Sequence, residues 1–477
     1  MINKSPTELF ERRRREIIIL KSGLEHSRLE SREYLFCRMR CGCIGSDDLR
    51  HRILAENSKD SGKRCEIKTA SEGEYMKREL ELYLHIPFCI RKCAYCDFLS
   101  GPADRQTQEQ YTEALIREIK AFPEKEQYVV CSVFFGGGTP SVLPAESIVR
   151  ILEVLKEEFS FLGENGEAEA ESGAAVQETE VTIECNPGTA DYEKLQKYRK
   201  AGINRLSLGL QSADNQELAC LGRIHSWETF LETYEQARRA GFTNINIDLM
   251  SALPGQSTAS WQKTLEKMLA LHPEHISAYS LIIEEGTPFY EQYHEEDALR
   301  EKGEVPALLP SEEEEREMYG MTEKMLNAAG MYRYEISNYA YPGYECRHNN
   351  GYWTGVWYAG FGLGASSYLN HRRYRNTDSM EQYLTASPEE LQKEREVELL
   401  SQNDEMEEFM FLGLRRMAGV SEEEFRIRFQ KTIGEVYGDV PEKLIQEGLL
   451  KRENGFLHLT GDGIHVSNLV MAEFLLD

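Results

Sequence analysis

The sequence predicts an α/β fold: a partial (β/α)6 TIM-like barrel, followed by a mostly helical, winged-helix-like C-terminal domain. Three observations predict it. Short apolar runs alternate with helix-periodic stretches from Leu82 to about residue 283. Six such units are too few to close an eight-stranded barrel. From about Asp404 the pattern changes to amphipathic helices with one hairpin signal.

Length and charge set the outer limits. At 477 residues the chain exceeds one ordinary core, so two or three domains are expected. Its apolar fraction of 41% suits a globular protein. A net charge of −26 argues against nucleic acid or an anionic membrane surface as the main partner. No uninterrupted apolar run reaches the ~20 residues that cross a bilayer. IIIL at 17–20 is short and follows ERRRRE-type flanks, unlike a secretory leader, so a cytoplasmic protein is expected. Eleven cysteines without regular spacing fit reduced thiols rather than a disulfide framework.

Residues 1–75 show no sustained period of 2 or 3.6 and read as poorly ordered. Cys37, Cys41, Cys43 and Cys65 invite a metal reading, but no element pattern would hold them, and ordinary thiols are the stronger reading. Order begins at MKRELELYLHIP, which makes Met76 the expected natural start. Strands are then expected at LYLHI (82–86), VVCSVFF (129–135), VTIEC (181–185), RLSLGL (205–210), INIDLM (245–250) and ISAYSLII (276–283). Helices are expected at 108–121, 145–159, 190–201, 227–240 and 258–271; in the second, Ile148, Ile151, Leu152, Val154 and Leu155 recur at helical spacing. The Gly-, Ala- and Glu-rich stretch 163–180 reads as a disordered acidic loop.

Beyond residue 300 the regularity fades. EEEERE (312–317) reads as the solvated face of a helix that turns Met318, Met321 and Met325 inward. The Tyr-, Trp-, Gly- and Asn-rich segment 332–377 reads as strands and loops. Met406, Phe409, Met410 and Leu414 then mark an amphipathic helix, and Ser421 with Glu424 has capping-box spacing before Phe425 and Phe429. A helix at 441–448 precedes Asn454-Gly455, a hairpin turn between apolar runs, and a last helix carries Val466, Val470 and Phe474. Without a basic stripe, this domain reads as a packing or partner-binding module rather than a DNA reader. The expected division is 1–75, 76–300, 301–400 and 401–477.

The chemistry concentrates after the first strand. Cys89, Cys93 and Cys96 form a C-x3-C-x2-C run. Three thiolates this close can hold a cubane cluster and leave one iron open to an outside ligand. A structural zinc site is the rival, but no fourth Cys or His stands at matching spacing. GGGTPS (136–141) ends the second strand, where glycines let the backbone approach a ligand and can aim N–H groups at an anion. Glu184, Gln211 and Asp248 end later strands, and Arg223 in LGRIH can pair with a carboxylate bidentately. Each taken alone is as readily a capping or salt-bridging residue; the set on one rim is harder to explain that way.

The cysteine run after the first strand of a βα repeat is the signature of the radical S-adenosylmethionine (SAM) superfamily, with Tyr95 as the usual aromatic flank. More narrowly, LYLHIPFCIRKCAYCDF, FFGGGTPS, IECNPGT, RLSLGLQS, LGRIHS, INIDLMSALPGQ, EISNYA, CRHNNGYW and GLGAS resemble the HemW-type heme chaperones. These belong to the coproporphyrinogen-dehydrogenase-like branch of radical SAM proteins. The resemblance spans Met76 to Asp477 and covers neither 1–75 nor 163–180. It implies a [4Fe-4S] cluster on Cys89, Cys93 and Cys96. It also implies SAM contacts from Tyr83, Tyr95, Gly137, Gly138, Thr139, Glu184, Gln211, Arg223 and Asp248. The implied function is delivery of heme to an acceptor hemoprotein, a respiratory-chain protein among the candidates, with peripheral membrane contact left open.

One position separates two sister functions. Oxygen-independent coproporphyrinogen III oxidases resemble this chain but carry a further cysteine two residues after the third; here Phe98 stands there. HemW-type chains also carry an H-N-x-x-Y-W motif, present as His348, Asn349, Tyr352 and Trp353. An imidazole can ligate heme iron and aromatic rings can stack on a porphyrin, so these four are the candidate heme contacts. The equally weighted alternative for His348 is a hydrogen-bonded core histidine. His85 and His225 are weaker candidates, suited as well to loop anchoring. The alternative function is radical SAM decarboxylation of coproporphyrinogen III to protoporphyrinogen IX.

Overall fold

The computed structural model describes residues 77–163 and 178–476. The expectations for Cys37, Cys41, Cys43, Cys65, Met76 and most of the acidic stretch lie outside the described residues.

Seven strands come first in the chain: β1 (Arg78–Ile86), β2 (Tyr128–Gly137), the short β3 (Ser160–Phe161), β4 (Glu180–Cys185), β5 (Arg205–Gln211), β6 (Ile245–Ser251) and β7 (His275–Ser280). β1, β2, β4, β5, β6 and β7 lie side by side in that order, each parallel to the next. The crossovers are helices, among them Arg105–Lys120, Ala145–Glu158, Tyr192–Ala201, Trp227–Arg239 and Thr258–Leu271. Side chains alternate across each strand. In β5, Leu206, Leu208 and Leu210 pack into the main core, while Arg205, Ser207, Gly209 and Gln211 turn to the inside. In β6, Ile245, Ile247 and Leu249 pack outward, and Asn246, Asp248 and Met250 turn inward.

Later segments extend both edges. β8 (Tyr332–Glu335) and β9 (Asn338–Ala340) form an antiparallel pair beside β7. On the other side β10 (Trp357–Phe361) returns parallel to β1, and β11 (Ser366–Leu369), β12 (Arg372–Arg375) and β13 (Val397–Leu399) follow antiparallel. The sheet runs from β13 to β8 and does not close among the described residues. It is the expected partial barrel, widened by strands that the sequence pattern did not place in it.

Three local expectations are corrected. β7 ends at Ser280, not at Ile283. Leu281 instead bonds its N–H to the Ser251 carbonyl (2.8 Å), and Leu281 and Ile283 join a satellite cluster with Leu221, Met250 and Leu253. Thr179 and Glu180, counted with the acidic loop, are buried, and Glu180 opens β4. The segment read as strands and loops contains a helix, Arg347–Thr354. Glu180 explains both of the last two. Its Oε1 accepts the backbone N–H groups of Arg347 (3.1 Å) and His348 (3.4 Å), capping that helix from a distant strand. Gly355, at φ 77°, ends it.

The C-terminal domain has its own core of Met406, Met410, Phe411, Phe425, Phe429, Leu457 and Val470, among others. Helix Gln402–Arg415 begins with a Ser401–Asp404 capping box, and the Ser421 hydroxyl caps Glu422–Phe429 by accepting the Glu424 N–H at 3.1 Å. β15 (Leu450–Glu453) and β16 (Phe456–Leu459) form the expected hairpin, with β14 (Val420–Ser421) against β16. Asn454 (φ 52°) and Gly455 (φ 79°) both take the left-handed region that a tight two-residue hairpin turn requires. The last expected helix is two short ones, Gly461–His465 and Ser467–Ala472, broken at Val466. No helix among the described residues is long and apolar enough to cross a membrane.

Candidate functional site

The cysteine loop leaves β1 and is pinched at its base. Cys89 N–H bonds to the Gly101 carbonyl and Gly101 N–H to the Pro87 carbonyl, both at 3.0 Å. Its far end is stitched to other elements: Ala94 N–H reaches the Leu221 carbonyl (3.2 Å), and Phe289 N–H reaches the Ala94 carbonyl (3.0 Å). Lys92 closes the loop on itself by donating to the Phe98 carbonyl at 2.8 Å. A loop tied this often has few conformations to lose when its thiols take a ligand.

Cys89, Cys93 and Cys96 all line one cavity at the C-terminal ends of the parallel strands. No three metal-binding side chains among the described residues converge tightly enough for a single ion. Burial pushes the Cys96 thiol up to about 11.

A polar ring joins two of the thiols. Thr139 Oγ1 lies 3.5 Å from Cys89 Sγ and accepts from Asn186 Nδ2 at 2.7 Å. Asn186 Oδ1 accepts from Arg223 Nη2 (2.7 Å), and Arg223 Nη1 approaches Cys93 Sγ at 3.6 Å. The same guanidinium donates to the Gly209 carbonyl. Arg223 is therefore positioned by the ends of β4 and β5 and delivered to the cysteine loop.

The glycine turn works by omission. A Cβ on Gly138 would stand 2.8 Å from the Phe88 carbonyl oxygen and 3.0 Å from Cys89 Sγ. Gly137, at φ 112°, makes room for the His85 ring. The expected anion-binding amides are not free. Gly138 N–H bonds to the Ile86 carbonyl (2.9 Å) and Thr139 N–H to the Phe88 carbonyl (2.7 Å). What the turn offers the cavity is close backbone without side chains.

The opposite wall carries Glu184, Gln211 and Asp248. Gln211 sits at φ 75°, unusual for a non-glycine residue, where the β5–β6 register slips. Its Oε1 accepts from Tyr279 OH at 3.2 Å. Asp248 accepts from Asn246 Nδ2 (2.8 Å) and Ser207 Oγ (3.1 Å). Tyr95 packs against Phe289 with ring centroids 6.4 Å apart. Asn186 and Tyr279 were missed by sequence reasoning. The signal for Asn186 was its place just after β4 in IECNPGT; Tyr279 looked like an ordinary strand aromatic.

Two expected contacts stand behind the wall instead. Tyr83 OH donates to His85 Nδ1 (3.1 Å), and His85 Nε2 donates to the Leu99 carbonyl (3.0 Å). The carbonyl can only accept, which assigns the imidazole proton to Nε2. Burial lowers His85 to about 4, so it is neutral. Tyr83 and His85 thus prop the end of the cysteine loop. His225 bonds to the Leu210 carbonyl (3.3 Å), and burial lowers it to about 3.

The Arg347–Thr354 helix distributes its motif over three faces. His348 is buried, with Nδ1 2.8 Å from Ser132 Oγ and Nε2 3.0 Å from Tyr352 OH. It stacks on Phe134 at 5.0 Å, and burial lowers it to about 3. Both ring nitrogens are engaged, the arrangement expected of a hydrogen-bonded core histidine. Tyr352 stands edge-on to Tyr358 at 4.9 Å. Trp353 lies under Arg415 of the C-terminal domain, 4.5 Å from the guanidinium. Asn349 alone lines the cavity.

Comparison with known proteins gives this arrangement a context. Residues 83–268 match the model of the radical SAM superfamily, and residues 400–466 match that of the HemN C-terminal domain. The heme chaperone HemW of Lactococcus lactis is 37% identical over 395 residues, which are 83% of this chain and 97% of that protein. The heme chaperone HemW of Bacillus subtilis is 34% identical, over 82% of this chain and 98% of its own length. Among solved structures, the coproporphyrinogen III oxidase HemN of Escherichia coli, a radical SAM enzyme, superposes with a TM-score of 0.67. It is 23% identical over 84% of this chain and 91% of its own, a likeness of fold.

Proposed function

This chain belongs to the HemW family of radical SAM proteins, and from that premise we propose that it binds heme and transfers it to an acceptor hemoprotein. In this reading Cys89, Cys93 and Cys96 hold a [4Fe-4S] cluster. Such a cluster, held by three thiolates, supplies one iron with a free position for the amino and carboxylate groups of SAM.

The chain's own residues then bind and orient. Arg223 faces the SAM carboxylate beside Cys93. The glycine turn lets the methionyl end lie against bare backbone. Glu184, Gln211 and Asp248 take the polar groups of the nucleoside, with Tyr279 fixing Gln211. Tyr95 and Phe289 shield the cluster side from water. Tyr83 acts through His85 on the loop, and Asn349 is the motif residue that meets the bound ligand.

The observation that carries the reading is identity above 30% to HemW chaperones over nearly their whole length. Phe98, in the place of a further cysteine, agrees with it. The test is a comparison on one anaerobically reconstituted sample. Titration with ferric heme is expected to give a saturable Soret change. Incubation with coproporphyrinogen III, SAM and a reductant is expected to give no protoporphyrinogen IX. Product formation would replace the chaperone reading with the decarboxylase; a heme titration that never saturates would remove it.

A further inference from the structure

The interior of the cavity holds a guanidinium to which the strand-end residues give no hydrogen bond at Nε. Arg205 opens β5, at the opposite end from Gln211, and its inward register places it on the cavity wall. It is only 2% exposed, and its Nε has no hydrogen-bond partner among the described residues. Two carboxylates act on it through space, Glu180 and Asp248. Both are engaged elsewhere: Glu180 caps the Arg347–Thr354 helix, and Asp248 holds Ser207 and Asn246. A guanidinium nitrogen withdrawn from water with no acceptor is unfavourable for the fold alone, and such groups concentrate at binding sites.

Asn349 adds an independent observation. It is 2% exposed on the same cavity, and its Oδ1 is likewise buried without a partner. Its amide can present either oxygen or nitrogen, since the two exchange by a flip. A guanidinium and an amide in a common enclosure, each with one buried atom left unbonded, match a carboxylate, which a guanidinium binds in a planar, two-point fashion. The SAM carboxylate is accounted for at the rim by Arg223, whose Nη1 is 3.6 Å from Cys93 Sγ.

We propose that Arg205 and Asn349 form an inner carboxylate subsite, and that it takes a propionate of the porphyrin ligand. This rests on the heme reading above and specifies how the ligand is oriented: one propionate inward, the ring toward the rim. The Arg347–Thr354 helix then contributes to ligand binding through an amide in the cavity, while His348 holds the helix in place.

The full-length reconstituted protein tests this with two probes, ferric heme and its dimethyl ester, each titrated by Soret absorbance. The wild type is expected to bind the free acid about tenfold or more tightly than the ester. Arg205→Met, which keeps side-chain length, should weaken the free acid by a similar factor and leave the ester unchanged. Asn349→Asp, which sets a carboxylate against the propionate, should do the same if Arg205→Met fails to fold. The change that SAM makes in the reduced cluster's EPR spectrum should be the same in both variants. Equal binding of acid and ester by the wild type overturns the subsite and leaves heme binding intact. Loss of the SAM-induced EPR change in Arg205→Met also overturns it, by assigning Arg205 to the SAM carboxylate. Failure of both probes to bind overturns the heme reading and the subsite together.

Discussion

The cysteine loop and the Arg347–Thr354 helix are both dense in residues able to do chemistry, yet they use them differently. The loop puts all three cysteines on one cavity. The helix sends His348 and Tyr352 into the core, Trp353 toward the C-terminal domain, and Asn349 to the cavity. A loop at a strand end can aim neighbouring side chains at one point because its backbone is irregular. A helix turns each successive residue by about 100°, so neighbours in a motif must part company. A string of suggestive residues therefore means less on a helix than on a loop, until its faces are known.

Four measurements test that contrast. The largest effect is expected in the loop. Cys93→Ala should abolish the full cluster, read as iron content and visible absorbance after anaerobic reconstitution. A complete cluster in that variant would end the ligand assignment. The next belongs to the helix as a packing element. A Cβ on Gly351 would fall 1.9 Å from Glu81 Oε1, and Glu81 is buried. Gly351→Ala is expected to cost about 1–3 kcal/mol, since the buried Glu81 carboxylate must move within a dense interior. An unchanged Tm would show that the helix is not seated as described.

His348 sharpens the comparison through pH. Burial lowers it from 6.5 to about 3, so only the unfolded chain takes up its proton between those values. Its contribution is present above pH 6.5 and is lost as pH falls toward 3. His348→Phe should flatten the acid side of the stability curve by about 1.4 kcal/mol per pH unit over that window. Heme affinity in this variant should stay close to the wild type. A heme spectrum that loses an axial ligand, with the acid limb unaltered, would move His348 back to the ligand. The smallest effect lies far from both regions. Gly455→Ala, at φ 79° in the hairpin turn, should cost about 1 kcal/mol by thermal melting and leave cluster assembly untouched.

Much of the barrel was legible because its signals are local. Strand alternation and helical spacing depend on residues a few positions apart, and the helices at 145–159 and 258–271 were placed within a residue of Ala145–Glu158 and Thr258–Leu271. Glu184 and Gln211 stood out for the same reason, as polar residues at or beside the end of an apolar strand, whereas Asp248, expected at a strand end, lies in the middle of β6. The Arg347–Thr354 helix was not legible. It has no apolar period, and its cap is a carboxylate 167 positions away. The glycine turn was read for close backbone approach and for free amides; the bare backbone is there, but the Gly138 and Thr139 amides bond to the Ile86 and Phe88 carbonyls.

The sequence by itself determined the cysteine triplet after the first strand, the alternation of barrel strands and helices, and the hairpin of the C-terminal domain. Each depends on spacing along the chain, and spacing is a local property. Only the tertiary structure decided which polar groups stay paired. Thr139, Asn186 and Arg223 are distant in sequence and form one ring, while Arg205 and Asn349 face one cavity with atoms left unbonded. Hydrogen bonding is short-ranged and directional, so whether a buried polar side chain is satisfied depends on partners that folding brings within about 3 Å.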